Sequence, residues 1–380
     1  MRILIAPNSF KHAMTSFQVA EMIMKGFKKS KLKAEYKIFP IADGGNGTLD
    51  LINNTIGGEI INCKVHDPLG RLINSRYGFI ASSKIAVIEM AEASGIHLLK
   101  DEERNPLLAT SYGTGELIKH ALDNDSRKII VGLGGSASID GGAGILQALG
   151  ISLLNEHGLE IEKGGGALGD LASLNVKGLH PKLQDCEIVV ACDVNSPLLG
   201  EKGAVEVFGP QKGAAKGDII ILENNLKNFA EVIFKNCKVD ITSLIAGGAA
   251  GGVSAGLHGV LNASIVNGLE YILELTGFEK DLKHSDLLIT AEGKFDSQTL
   301  EGKGPFGVAK LAYENKVPVI VFAGQVSDEI DFHQLKQIEA VFSISRGPGS
   351  LQDAIFDTGK DLSLLAHQVG NLIQMSQQIS

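Results

Sequence analysis

The chain has 380 residues, of which 44% are hydrophobic and 21% are charged, and its formal net charge is −9. A chain of this length and composition is typical of a globular protein with two domains and ample cores. The acidic balance, with no cluster of Lys and Arg interleaved with aromatic residues, argues against a nucleic-acid partner. An anionic ligand must then be held by local groups.

The sequence contains no apolar run of membrane-spanning length, and it begins with a strand pattern rather than a signal peptide. Its four cysteines have no CxxC spacing, which is typical of buried thiols in a reducing compartment. We therefore expect a cytoplasmic protein without a membrane partner. The 46 glycines exceed what ordinary turns require, and they predict loops in which the backbone approaches a ligand closely.

Two βα units open the chain. Residues 2–7 and 36–39 predict parallel strands, and helices are predicted to begin after Thr15 and at Thr48. Ligands of open α/β sheets bind outside the carboxyl ends of the strands, where the polar loops 8–11 and 42–47 follow. These loops supply the candidate residues Ser9, Lys11 and Asp43. A hydrogen-bonding role within its Gly-Gly turn explains Asp43 equally well.

The pattern changes after Gly58. Residues 59–66, 72–81 and 84–90 predict three short strands of an antiparallel meander, which we interpret as the start of an inserted domain. Arg71 closes the turn between the first two strands. Its guanidinium has the geometry to pair with a substrate carboxylate, although a hairpin turn exposed to water explains it as well.

A glycine-rich loop lies within residues 130–144, between a predicted buried strand and a predicted helix. Its candidate ligand-binding residues are Gly134, Gly135, Ser136, Ser138, Asp140, Gly141 and Gly142. Glycines let backbone N–H groups converge on a phosphate, and a carboxylate in the loop can hold a magnesium ion that bridges to it.

Two other interpretations of this loop stay open. The glycines are also suited to tight strand–helix packing. Alternatively, Gly132, Gly134 and Ala137 fit the G-x-G-x-x-A pattern of dinucleotide-binding proteins, with Glu156 near the position of the ribose-binding acid. On this stretch alone, the nucleotide-phosphate and dinucleotide interpretations are nearly level.

Further charged residues follow along the chain. Asp193 ends a predicted strand, and Glu292 and Asp296 share a polar loop that follows the predicted strand 287–290. Phosphoryl transfer needs a divalent ion, positive groups and a base for the acceptor hydroxyl, and these carboxylates are candidates for the first and third roles. Lys212 and Lys303 lie in glycine-rich loops and are candidate positive groups.

The βα rhythm returns from residue 286, with further strands at 317–322 and 341–344 and a long amphipathic C-terminal helix. Neither terminal set of βα units is large enough to form a stable layered sheet alone. We predict that they form one five-stranded, doubly wound α/β domain, residues 1–60 and 282–380, interrupted by an inserted domain, residues 61–281. Because P-loop and protein-kinase patterns are absent, the residues alone indicate only a two-domain α/β enzyme for a phosphorylated ligand.

Taken together and in this order, the loops resemble bacterial type I glycerate kinases. The similar stretches cover nearly the whole chain and are 6–11, 42–45, 110–117, 134–142, 192–194, 208–213, 249–252 and 292–308. The resemblance implies a flavodoxin-like domain with a second α/β domain inserted. It also implies ATP- and magnesium-dependent phosphorylation of D-glycerate, with 2-phosphoglycerate as the favoured product.

Three positions depart from the family pattern. Asn8 stands where the family usually has Asp, Asn46 where it usually has Glu, and Ser196 where Asn is usual. Positions 8 and 46 therefore do not supply a carboxylate, whereas the other acidic candidates are intact.

From the resemblance and the residues together we predict roles. Lys11 and Asp193 are the catalytic candidates, Ser9, Asp43 and Arg71 the substrate-binding ones, and Asp140, Glu292 and Asp296 the magnesium contacts. The glycine-rich loop and Lys212 are predicted to hold ATP. The alternatives are an NAD-dependent dehydrogenase of a small hydroxy acid and a non-catalytic hydroxy-acid binding protein.

Overall fold

The structure is a computed structural model and describes residues 1–42, 45, 47–297, 299–301, 304–347 and 349–379. In these residues the strands are β1 (Arg2–Ile5), β2 (Glu35–Ile38), β3 (Glu59–His66), β4 (Leu72–Ile80), β5 (Ile85–Glu89), β6 (Lys128–Gly132), β7 (Ser152–Leu154), β8 (Ser173–Asn175), β9 (Glu187–Cys192), β10 (Ser264–Asn267), β11 (Leu287–Phe295), β12 (Val319–Val326) and β13 (Ala340–Ser343). The helices are α1 (Ser16–Lys29), α2 (Thr48–Ile52), α3 (Ala91–Ser94), α4 (Tyr112–Asp123), α5 (Ala143–Ala148), α6 (Ala204–Phe208), α7 (Lys216–Cys237), α8 (Ala249–Leu261), α9 (Gly268–Thr276), α10 (Phe278–Lys283), α11 (Gly304–Glu314) and α12 (Leu351–Ile379). None of these helices combines the length and the apolarity that crossing a membrane requires.

Met1–Asp43 and Leu269–Ser380 form the first compact unit, which is built on a five-stranded parallel sheet in the order β13-β12-β11-β1-β2. Counted within this unit the order is 2-1-3-4-5, which is that of flavodoxin-like folds. Side chains alternate between the faces, so Leu4 joins the apolar cluster on one side whereas Ile3 and Ile5 join that on the other. The predicted doubly wound sheet is confirmed.

Strand β11 is longer than the sequence predicts. The predicted strand ends at residue 290 and is followed by a loop, but β11 continues to Phe295 because Glu292 pairs with Ala323 and Lys294 with Gln325 on β12. Prediction of a loop over residues 291–295 was wrong, since polar residues at an exposed strand end carry the sequence signal of a loop. Glu292 is therefore held by a strand backbone.

Gly44–Gly268 form the second compact unit. Its six-stranded sheet has the order β10-β9-β6-β5-β4-β3, and β7 and β8 form a separate pair. The meander of β3, β4 and β5 is antiparallel as predicted, and β5, β6, β9 and β10 run parallel. Ile88, Val131 and Val190 enter the main apolar core. The next residue of each strand, Glu89, Gly132 or Ala191, therefore faces the other side of the sheet.

The compact units divide at other positions than the predicted domain boundaries, 60/61 and 281/282. Residues 48–57 belong to the second unit because their helical turns pack on β4 and β5. Residues 269–281 belong to the first unit because Leu269, Leu273 and Phe278 enter one of the clusters on its sheet.

Candidate functional site

In the first unit, polar residues meet at the carboxyl ends of β1 and β11. These strands are neighbours, and the order of the sheet reverses between them, which is where ligands bind in doubly wound folds. The backbone N–H of Asn8 donates to the carbonyl of Ala291 (2.8 Å), and a Cβ at Gly293 would lie 3.7 Å from Cα of Phe10 and 3.8 Å from N of Lys11. The structure thus brings the loop of Ser9 and Lys11 next to Glu292.

Glu292 is an unusual carboxylate at this edge. The hydroxyl of Thr299 donates to it, yet its Oε1 is buried and has no hydrogen-bond partner among the described residues. Burial raises the pKa of Glu292 to about 8, with a smaller increase from Asp296 and an opposing decrease from the Thr299 hydrogen bond. Asp296 in turn lies 3.0 Å from Nζ of Lys294. The strand end therefore holds two close carboxylates.

We expect the E292Q variant to have a flatter profile of stability against pH in metal-free buffer. The pKa of Glu292 in the folded protein, about 8, is above that of an unfolded glutamate, so folding retains a proton that the unfolded chain releases. Stability of the wild type should therefore fall as pH rises towards 8, and E292Q should lack this part of the fall. Thermal unfolding across this range measures it, with E21Q, on the exposed face of α1, as the matched control. Parallel profiles for E292Q and wild type would contradict the burial argument.

Two predicted residues of this unit, Asp43 and Lys303, lie outside the described residues.

In the second unit, the glycine-rich loop between β6 and α5 has an exposed part and a buried part. Gly134 is half-buried and Gly135 is exposed, whereas Ser136 is only 7% exposed. We call residues 134–136 the glycine bend. Within the described residues its three backbone N–H groups have no acceptor, and Gly135 adopts φ +69°. The glycine bend is thus the part of the loop that can offer N–H donors to an anion.

The rest of the loop is internal support. Ser138 and Asp140 are fully buried, and a Cβ at Gly141 would lie 2.7 Å from the ring of Phe229. A Cβ at Gly142 would lie 3.3 Å from Cα of Val253. Here the packing interpretation accounts for Gly141 and Gly142, because α7 leaves no room for a side chain at Gly141 and α8 leaves little at Gly142, and both residues have positive φ.

Asp140 ties this support together. Its Oδ2 accepts hydrogen bonds from the backbone (2.7 Å) and hydroxyl (2.8 Å) of Ser111, and also from Thr110 and Gly144. Its Oδ1 accepts from the backbone of Gly142 at 3.2 Å. Both oxygens of a fully buried carboxylate are therefore engaged by the protein itself. This arrangement fits a structural role and does not offer an oxygen to magnesium, the role that the sequence predicts.

Lys212 reaches the glycine bend from a 3-10 turn, Pro210–Lys212, which precedes α7. It is 4% exposed, and its Nζ donates to Oγ of Ser136 (2.8 Å) and to the carbonyl of Ser138 (2.7 Å). Burial lowers the pKa of Lys212 to about 7, and the charge of Asp140 partly opposes this. An ammonium has three donors, so one N–H is left for a ligand, and the Ser136 hydroxyl is left to donate its own proton.

A strained segment braces the same loop. Ala250, Gly251 and Gly252 adopt φ of +54°, +73° and +92° in succession, and the carbonyl of Gly251 accepts the N–H of Gly141 (3.0 Å). Positive φ costs energy at alanine, so this conformation persists because the surrounding packing imposes it.

The G251A variant should lose stability and nucleotide binding together. A Cβ there would lie 2.3 Å from the carbonyl oxygen of Ser138, at a φ that alanine disfavours, and we expect a loss of about 2–4 kcal/mol. The control is G217A, since a Cβ at Gly217 meets nothing within 4 Å and lies in the first turn of α7. Chemical unfolding and ATP binding measure the pair, and equal stability of the two variants would refute the bracing role.

Asp193 lies directly after β9 and is half-buried. It is one residue beyond Cys192 in the strand that neighbours β6, so it lies near Gly134 at the carboxyl edge of the sheet.

Arg71 is placed differently. Its guanidinium forms ion pairs with Asp67 and, at 2.7 Å, with Glu103, so two protein carboxylates already occupy it. These ion pairs favour the interpretation of Arg71 as a hairpin-turn residue over a role in binding a substrate carboxylate.

One buried acid was missed by sequence reasoning. Glu89 ends β5 in register with Gly132 of β6, and it is 5% exposed. The available signal was a glutamate that directly ends an apolar strand run, at the same edge as the other loops.

The backbone of the glycine-rich loop contradicts the dinucleotide-binding interpretation. In that motif the helix begins within the glycine pattern, so that its N-terminus meets the pyrophosphate. Here α5 begins only at Ala143, and Glu156 is an exposed turn residue beside His157.

Comparisons with known proteins agree with these features. A model of the glycerate kinase family matches residues 3–374. The chain is 45% identical to a glycerate kinase of Halalkalibacterium halodurans over 353 residues, which is 93% of each chain. It is 44% identical to the glycerate 2-kinase of Escherichia coli over 354 residues, again 93% of each. It also resembles a crystal structure of a Salmonella typhimurium LT2 protein that carries the name glycerate kinase 2, with TM-score 0.87, 41% identity and coverage of 100% of this chain and 99% of that one.

Proposed function

The chain belongs to the glycerate kinase family, and from this we propose that it transfers the γ-phosphoryl group of ATP to a hydroxyl of D-glycerate. The structural observation that carries the proposal is the buried Lys212 side chain, which donates to Ser136 beside a glycine bend whose backbone N–H groups have no acceptor in the part of the chain that the structure describes. Backbone N–H groups and a lysine are the groups that nucleotide phosphates bind in enzymes of this chemistry.

For the nucleotide, we propose that Gly134, Gly135 and Ser136 hold ATP phosphate oxygens and that Lys212 balances their charge. A nearby phosphate favours the ammonium form of this lysine, because an opposite charge raises the pKa of a base. Ser138, Gly141 and Gly142 act behind the glycine bend as support. They are buried and packed, so their effect on ATP is through the shape of the loop.

For the acceptor, we propose that Ser9 and Lys11 bind glycerate or the transferring phosphoryl group at the carboxyl edge of the first sheet. Lys11 is exposed there, and its charge is available to an anion. We propose that Asp193 orients or deprotonates the acceptor hydroxyl, a role that suits a half-buried carboxylate at the end of a strand. Asp43 is retained as a substrate-binding candidate on the sequence argument alone.

A magnesium ion fits Glu292 and Asp296 better than Asp140. Glu292 has a buried oxygen that no described residue hydrogen-bonds, and magnesium typically takes one or two carboxylates, with phosphates and water completing its shell. Among the described residues, this strand end included, no group of three or more His, Cys, Asp or Glu side chains is arranged to hold a metal, so the two carboxylates would need phosphates and water to complete the shell. When bound, the ion would neutralise charge on the nucleotide phosphates.

The name of the E. coli relative, glycerate 2-kinase, supports phosphorylation of the 2-hydroxyl. The test is NMR of the product formed from D-glycerate, ATP and magnesium. A phosphate on C2 couples to one proton and gives a doublet in the ³¹P spectrum, whereas a phosphate on C3 couples to two and gives a triplet. A triplet would reject the 2-hydroxyl, and the absence of any phosphoglycerate would reject the kinase.

The same samples separate the alternatives. A dehydrogenase would bind NADH more tightly than ATP in a fluorescence titration, and a non-catalytic binding protein would consume no ATP. We also propose a cytoplasmic location, since all four cysteines are free thiols in the structure.

A further inference from the structure

Glu89 acts as a cap for a helix elsewhere in the chain. Its Oε1 accepts hydrogen bonds from the backbone N–H groups of Gly47 (3.0 Å) and Leu49 (2.7 Å). These groups lie at the start of α2, whose own N-cap residue, Gly47, has no side chain to cap it. First-turn N–H groups of a helix need acceptors, and Glu89 supplies one across 40 residues of sequence.

The capped segment continues to the glycine bend. The carbonyl of Gly45 accepts hydrogen bonds from the backbone N–H (3.3 Å) and hydroxyl (2.7 Å) of Thr48. A Cβ at Gly134 would lie 2.4 Å from Cα of Gly45, so these two backbones touch. All of these residues belong to the second compact unit. A continuous series of contacts therefore joins the Glu89 carboxylate to the first residue of the bend.

We propose that Glu89 is a positioning residue for the glycine bend, which it holds in place through residues 47–49 and Gly45. The inference rests on the proposed function, because it takes the bend to be the ATP-phosphate site. Glu89 and the glycine bend belong to the second compact unit, whereas the acceptor-side residues Ser9 and Lys11 belong to the first. Loss of Glu89 should therefore weaken binding of ATP and leave binding of glycerate nearly unchanged.

Charge adds a second readout. Burial raises the pKa of Glu89 to about 7, the Leu49 and Gly47 hydrogen bonds lower it, and the charges of Glu92 and Asp50 raise it. Among the described residues, the charged groups beside it are these two carboxylates and Arg76, which pairs with both, at 3.2 Å to Asp50 and 3.0 Å to Glu92. A carboxylate accepts stronger hydrogen bonds than a neutral carboxyl group does. The hydrogen bonds from Gly47 and Leu49 to Glu89 should then weaken as pH falls through about 7.

The test compares E89Q with wild type at pH values on both sides of 7. Glutamine keeps an oxygen acceptor but cannot ionise, so it imitates the protonated acid. We expect E89Q to bind a non-hydrolysable ATP analogue about tenfold more weakly at high pH and equally well at low pH, with KM for glycerate within about twofold of wild type. The ratio of the affinities of the two proteins at each pH cancels the titration of Lys212 and of the nucleotide, which both proteins share. E92Q is the matched control at high pH, where Glu89 is ionised in either protein, because it removes a neighbouring acid that does not cap α2.

A double-mutant cycle tests whether Glu89 acts on the glycine bend through these contacts. G134A alters the other end of the same contacts, so its effect and that of E89Q on analogue affinity should be non-additive. Additive effects, equal binding by E89Q and wild type at every pH, or an equal rise in KM for glycerate would each overturn the proposal. If E89Q unfolds, E89D keeps the charge and shortens the side chain; it should bind weakly at all pH values, and wild-type binding would overturn the proposal. Wild type that binds the analogue but does not phosphorylate glycerate would reject the proposed function alone.

Discussion

Replacement of Lys212 by methionine should lower kcat/KM for ATP by about 100- to 1,000-fold, the loss typical for removal of one preorganised donor from a charged transition state. The same variant should be no less stable than wild type. The pKa of Lys212 in the folded protein, about 7, is below that of an unfolded lysine, so at neutral pH folding has to expel or bury a charge. Methionine has similar length and removes this cost.

The stability of the two proteins should also respond differently to pH. Between the pKa of about 7 in the folded protein and that of an unfolded lysine, the unfolded chain binds more protons, so wild-type stability gains from this group as pH rises. K212M should lack that gain. Steady-state kinetics and thermal unfolding check both parts, with K216M, an exposed lysine at the start of α7, as the control. A K212M enzyme with near-normal turnover would remove Lys212 from the ATP site.

Replacement of Asp193 by asparagine should lower kcat by about 100- to 10,000-fold, with only a modest change in KM for ATP. This range is typical for loss of a general base, and asparagine keeps the shape of the side chain while losing its basicity. The matched control is D185N, because Asp185 lies two residues before β9, at the other end of the strand, and forms an exposed ion pair with Arg127. Near-normal turnover by D193N would remove this residue from the acceptor role.

Much of the fold was predictable because strand and helix periodicity survive in local sequence. The run of Ile3, Leu4 and Ile5 predicts a strand buried on both faces, and Thr15 indeed caps α1 in a capping box with Gln18. The end of β11 was not predictable, since Glu292 and Lys294 are held in the strand by pairing with β12, which a local pattern does not contain.

The loops that form the candidate site were predictable from the sequence, but the separate roles of their residues were not. Sequence shows that Ser136, Asp140 and Gly142 share a loop, but only packing shows that Ser136 adjoins the exposed Gly135 whereas the other two are internal. The contact of Lys212 with Ser136 spans 76 residues, and no spacing rule connects them. Glu89 was missed for the same reason, because its partners precede it by 40 residues or more.

The many distant partners of the glycine-rich loop have a consequence for folding. The loop is fixed by Ser111 from before it and by Gly251 from far beyond it, so it has no defined shape until most of the second unit has assembled. Contacts of such high sequence separation form late. In refolding experiments, recovery of ATP binding should therefore coincide with the final kinetic phase, and a nascent chain released before residue 251 should bind no nucleotide.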